Sequence, residues 1–199
     1  MKAMNAKELV VIGCFGAVGA ALEISLGTLL HTFKFVPFKG LLMTSLLVVI
    51  LVASRILTGR RSAPFMVGAV IATLKMLSPG AVYFTVTIAI LLEGFTVFAV
   101  LSAGSVEKPF LPVLAGICAA FYSLAHKFLI NGILMGSEIF EIYLKLLRDA
   151  SLILGMKPSD ALWLLVPVFF LHVAFGSAAG YFGWKLGNYL RRVTRYEKS

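Results

Sequence analysis

The chain has 199 residues, of which 60% are hydrophobic and 14% charged, and 18 Lys plus Arg against 9 Asp plus Glu give a formal net charge of +9. Soluble domains carry roughly 45–50% apolar and ~25% charged residues, so a mean hydropathy of +0.96 excludes an ordinary water-soluble fold and points to an all-α, polytopic membrane protein. Nucleic acid is excluded as a partner on placement. A DNA-binding surface gathers its cations on one water-facing element, whereas here they lie between apolar runs, where they act as loop charges that set membrane orientation.

A spanning helix needs ~20 mostly apolar residues, with ~17 to 25 allowed. About six candidates follow in chain order. The first runs from Leu9 to about Leu30, and the second from about Val36 to Leu57 across the basic linker HTFKFVPFKG. The start MKAMNAKELVVIGC has the small-residue-then-Cys form of a lipoprotein signal, but only about five apolar residues precede Cys14, short of the ~7–15 of a signal core. It is therefore read as the beginning of a membrane helix. The third candidate, from about Ala63 to Leu77, is short and ends at the turn signal Ser78-Pro79-Gly80. The fourth runs from Ala81 to about Leu101, the fifth from Pro109 to about Leu134, and the sixth from Ala161 to about Leu186, followed by the tail GNYLRRVTRYEKS. Residues 1–199 thus form a single transmembrane domain. Cys14 and Cys118 lie in apolar runs without metal-ligand spacing and read as buried free thiols.

Between the fifth and sixth candidates, SEIFEIYLKLLRDASLILG repeats apolar residues at helical spacing, with Glu138, Glu141, Lys145 and Arg148 on the opposite face. This is an amphipathic helix in the last outer loop. Two roles fit it: a helix lying flat on the membrane lipid, or a lid over a cavity. Orientation follows from Lys and Arg. With the N-terminus inside, about eleven cations fall on inner segments and about five on outer ones, which places both termini in the cytoplasm of a plasma-membrane protein.

An ammonium in hydrocarbon costs at least ~2.5 kcal/mol, so a chain that keeps one there has a partner or a use for it. Lys75 and Lys127 fall in the outer parts of the third and fifth candidates, with His126 and Asn131 beside Lys127 and Glu23 just outward of the middle of the first. Snorkelling to the headgroups accounts for Lys127 alone. A second reading joins Lys75, Lys127, His126, Asn131 and Glu23 around a wet outer recess where two ammonium groups receive a carboxylate or phosphate. Lys34 lies in the first outer linker. Tyr83 and Trp163 are either headgroup-level anchors or an aromatic wall for a bound ring. Glu93 and His172 lie near or somewhat inward of the middle, and Pro167 predicts a kink in the last helix that frees the carbonyl near Trp163.

Gly13, Ala17 and Ala21 make successive small-xxx-small steps, and Gly176 to Gly180 supplies GxxxG, with Gly183 and Gly187 beyond. These faces permit close helix contact, inside the chain or with a partner. GxxxxGK[ST], HExxH and GxSxG are all absent, which argues against an ATPase and against an enzyme, and no cofactor is implied.

With GCFGAVGAALEISLG in the first helix and GRRSAPFMVGAVIATLKMLSPG around the third, the chain resembles the substrate-binding S components of energy-coupling factor (ECF) transporters. The resemblance covers the architecture of nearly the whole chain through loose motifs. It implies a subunit that captures a micronutrient of the vitamin type from the outer side, while a transmembrane coupling subunit and cytoplasmic ATPase subunits drive uptake. Gly13, Ala17 and Ala21 would then face the coupling subunit. The long last outer loop departs from the compact pattern of that family. Two other classes remain: an accessory or scaffolding membrane subunit without its own ligand, and a membrane-embedded channel or enzyme using Glu23, Glu93 and His172.

Overall fold

The computed structural model describes residues 4–32, 39–78, 84–136, 138–153, 155 and 157–196. Seven α-helices and one 3-10 helix account for most of them: α1 (Ala6–Thr32), α2 (Lys39–Thr58), α3 (Ala63–Met76), α4 (Phe84–Ser102), α5 (Phe110–Met135), α6 (Glu138–Ile153), the 3-10 helix Pro158–Leu164, and α7 (Leu165–Tyr196). No strand occurs among the described residues. The spans Ala6–Gly27, Lys39–Thr58, Phe84–Ser102 and Ser159–Thr194 are long and apolar enough to cross a membrane, and Ala63–Met76 and Phe110–His126 are shorter apolar helices. Large apolar side chains cover the outside: Val10, Phe84, Phe110, Phe170 and Phe182 are all at least 60% exposed. Lipid is the solvent such a surface requires. The protein is an all-helical, membrane-embedded bundle.

The centre of the bundle is α2. Val48, Leu51, Val52 and Ala53 are wholly buried, with α1, α3, α4, α5 and α7 all packed around that helix. Because lipid is as apolar as leucine, helices in a membrane associate through close packing instead of water exclusion, and small residues let their backbones approach. Gly116 of α5 and Gly176 of α7 meet in this way: a Cβ added at Gly176 would lie 2.6 Å from the Gly116 carbonyl oxygen. On the other flank, Gly68 of α3 meets Gly94 of α4, where a Cβ on Gly68 would lie 3.2 Å from the Gly94 Cα. The GxxxG run of α7 is therefore spent inside the chain, against α5 and α2. In contrast, Gly13, Ala17 and Ala21 lie on the exposed side of α1, and nothing comes within 4 Å of a Cβ at Gly13. Gly16 and Gly19, on the other side of that helix, face Val70 and Ile71 of α3.

Contacts gather one set of chain segments at one end of the bundle. Glu8 near the start of α1 pairs with Arg60 of the α2–α3 linker at 2.6 Å, while Trp184 Nε1 of α7 donates to the Val106 carbonyl of the α4–α5 linker at 3.2 Å. Gly187 lies against Ala53 and Ile56 near the end of α2. At Gly59, a φ of +71° closes α2, a backbone conformation that glycine adopts without a Cβ penalty.

Sequence expectations change at several points, and Cys14, read as a buried free thiol, is exposed. Pro167 is the third residue of α7, so the carbonyl it leaves unbonded lies where the preceding 3-10 helix passes into the α-helix. The carbonyl of Trp163 belongs to the preceding 3-10 helix. The tail after Leu186 is not separate, since α7 continues to Tyr196 and reaches about 48 Å at 1.5 Å per residue. The amphipathic stretch is helical as expected. In α6, which packs on the 3-10 helix and α5, Ser151 is buried and Glu141, Lys145 and Arg148 are exposed.

Candidate functional site

The interior of an apolar bundle should hold few polar groups, and those it holds need partners. Here they converge. From α3, Lys75 is 5% exposed, and its ammonium donates to the backbone carbonyl of Glu23 on α1 at 3.2 Å. A Cβ at Gly27, one turn beyond Glu23, would lie 3.6 Å from Glu23 Oε1 and 3.9 Å from Lys75 Nζ, so both charged groups border one small volume. The Glu23 carboxylate also feels the Lys75 charge directly.

From α4 comes Glu93, 5% exposed. Thr44 Oγ1 of α2 donates to Glu93 Oε2 at 3.2 Å, while the buried Oε1 has no hydrogen-bond partner among the described residues. Thr87 Oγ1 on the same helix is also buried without one. Glu93 lies within electrostatic reach of Glu23 and of Tyr122 on α5. The Tyr122 hydroxyl shares a 2.9 Å hydrogen bond with His126 Nδ1 one turn on, and the His126 ring lies near the Thr85 backbone of α4. Five helices thus contribute Glu23, Thr44, Lys75, Glu93, Tyr122 and His126 to one polar zone. Its chemistry suits a ligand with complementary charge and hydrogen-bonding groups, because interactions in a low-dielectric interior are stronger than in water.

Of the residues expected from the sequence, the structure brings Lys75 and Glu23 together and places His126 in the same zone. Lys127 and Asn131 lie on α5, with side chains outside those described, and Lys34 and Tyr83 lie outside the described residues. Trp163 does not join the interior: its side chain is 69% exposed on the 3-10 helix. That position suits a headgroup-level anchor and does not line the polar zone. His172 is 4% exposed, bonds the Val168 carbonyl at 2.7 Å and stacks on Phe121. Among the described residues no group of three or more His, Cys, Asp or Glu is placed to hold a metal ion.

Two contributors escaped the sequence reading. Thr44 carried one faint signal, as one of several hydroxyls in a mostly apolar helix, and Tyr122 carried another, its i,i+4 spacing from His126. Compared with family models, with curated proteins and with solved structures, the chain matches none.

Proposed function

We propose that this chain is the substrate-binding membrane subunit of a micronutrient importer, capturing a small molecule with an anionic group from the outer side for uptake driven by partner ATPases. The reading rests chiefly on Lys75, a buried ammonium facing Glu23 across the α1–α3 contact. A membrane protein that buries such a charge among its helices has a partner or a use for it. Lys127 supplies the second cation, and His126 and Asn131 orient the bound group. Six helices (α1 to α5 and α7) cross the bilayer with both termini cytoplasmic, and α6 covers the outer opening. The exposed Gly13, Ala17 and Ala21 face of α1 receives the transmembrane coupling subunit, in keeping with the resemblance to ECF S components. The same face supports the accessory-subunit reading, in which Lys75 is a structural clamp on α1.

Mass spectrometry of small molecules retained by the purified protein separates the two. Under the capture reading, a retained compound carries a carboxylate or phosphate. Lys75→Met and Lys127→Met each lower its retention by about ten- to a hundredfold, as expected for loss of a charge-assisted hydrogen bond. Unchanged retention in both folded variants removes the capture site and leaves the accessory role.

A further inference from the structure

We infer that the captured molecule is zwitterionic: Glu93 receives its protonated amine while the Lys75 end of the polar zone receives its anionic group. The inference rests on the capture reading and adds the second recognition point and the substrate class. Three observations carry it.

The first is charge. Among the described side chains of the zone there are two carboxylates, Glu23 and Glu93, within electrostatic reach of each other, and one ammonium, Lys75. With Lys127 as the second cation of the capture site the acidic and basic groups balance, so a simple anion entering beside Lys75 would leave the site with a net negative charge. A molecule that brings its own positive group at the Glu93 end removes it.

The second is an unmet acceptor. Glu93 is 5% exposed, and Thr44 fixes Oε2 from α2, yet Oε1 has no hydrogen-bond partner among the described residues. A buried carboxylate oxygen held in place by its neighbour and left without a donor is preorganised for an incoming N–H, and such charge-assisted bonds are roughly twice as strong as neutral ones. The nearby phenol of Tyr122 is turned to His126.

The third is spacing. The Gly68–Gly94 contact fixes the register of α3 against α4. Lys75 stands seven residues outward of Gly68 and Glu93 one residue outward of Gly94, so their Cα atoms differ in depth by about 9 Å at 1.5 Å per residue. That separation fits a small molecule whose amine and acid lie several bonds apart.

The test uses ω-amino acids with chains of four to eight carbons, each paired with the ω-hydroxy acid of equal length. The hydroxy acid keeps the carboxylate and replaces the ammonium with a neutral hydroxyl. The readout is the thermal unfolding midpoint of the purified full-length protein in detergent, titrated with each compound. At one or more lengths the amino acid is expected to reach half its maximal shift at a concentration about tenfold below that of its hydroxy acid. Glu93→Gln, which keeps the volume and a carbonyl to accept from Thr44, should erase that preference. Thr44→Val, which frees the carboxylate from its anchor, should reduce it. Equal responses to amino and hydroxy acids at every length, a preference that survives Glu93→Gln, or no shift by any compound would each overturn the inference. Lys75→Met keeps the two readings apart. Responses lost in Lys75→Met without an amine preference in the wild type refute only the role of Glu93, while responses that persist in Lys75→Met refute capture at Lys75.

Discussion

Lys75 and Glu93 are opposite in sign and differ in how the fold treats them. The ammonium has a backbone carbonyl and a neighbouring carboxylate within reach. The Glu93 carboxylate has one hydroxyl donor and an unmet oxygen. Removing a donor from a buried polar group leaves the desolvation cost of that group uncompensated, about 1–3 kcal/mol. Thr44→Val is therefore expected to lower stability by about that amount in reversible unfolding in mixed micelles, whereas Thr44→Ser, which retains the hydroxyl, should recover most of it. At the far end of the bundle the Glu8–Arg60 pair is partly solvated, with side chains 27% and 23% exposed respectively. A pair in that setting contributes at most about 1 kcal/mol.

Among the elements, α1 and α7 both carry small-residue stripes and use them differently. In α7 the stripe is closed by α5 and α2, and side-chain atoms at Gly176 would collide with the α5 backbone. Gly176→Leu should separate the two helices and destabilise the protein by about 1–3 kcal/mol or more, the range for overpacking, seen as a lower unfolding midpoint. In α1 the positions Gly13, Ala17 and Ala21 face outward. Ala17→Leu is expected to leave the midpoint of the isolated chain within about 0.5 kcal/mol, as for surface substitutions. If the coupling-subunit reading holds, the same change lowers co-purification with that subunit. Matching midpoints with undiminished association would remove this face from the partner interface.

On the scale of the whole molecule, α1 is held to the bundle by polar contacts toward both ends, Glu8–Arg60 and Lys75–Glu23, with Gly16 and Gly19 against α3 between them. The start of α1, the ends of α2 and α4 and the C-terminal half of α7, linked by Glu8–Arg60, Trp184–Val106 and the packing of Gly187 on Ala53 and Ile56, share one side of the bundle. Under the proposed orientation that side is cytoplasmic. Single cysteines at Ser105 and Ser159, in a background with Cys14 and Cys118 replaced by alanine, test it with a membrane-impermeant thiol reagent applied to intact cells. Ser159→Cys is expected to label and Ser105→Cys to remain unlabelled until the membrane is opened. The reverse pattern inverts the orientation and moves the polar zone to the inner side.

Composition and the length of the apolar runs were enough to establish an all-helical membrane protein, because hydrocarbon admits few alternatives to helices with internally bonded backbones. Spacing alone also exposed the amphipathic α6 and the small-residue stripes. Which stripe is buried was not legible there, since Gly13 and Gly176 carry the same local signal and differ only in what stands opposite. The setting of Pro167 was not legible for a related reason: it depends on where the helix changes type, and the 3-10 helix ahead of it puts that change at Leu165. Lys75 and Glu23 stood out as charges in apolar sequence. Their meeting with Thr44, Glu93 and Tyr122 came from the register of α1 to α5, which close packing between whole helices sets and no local pattern encodes.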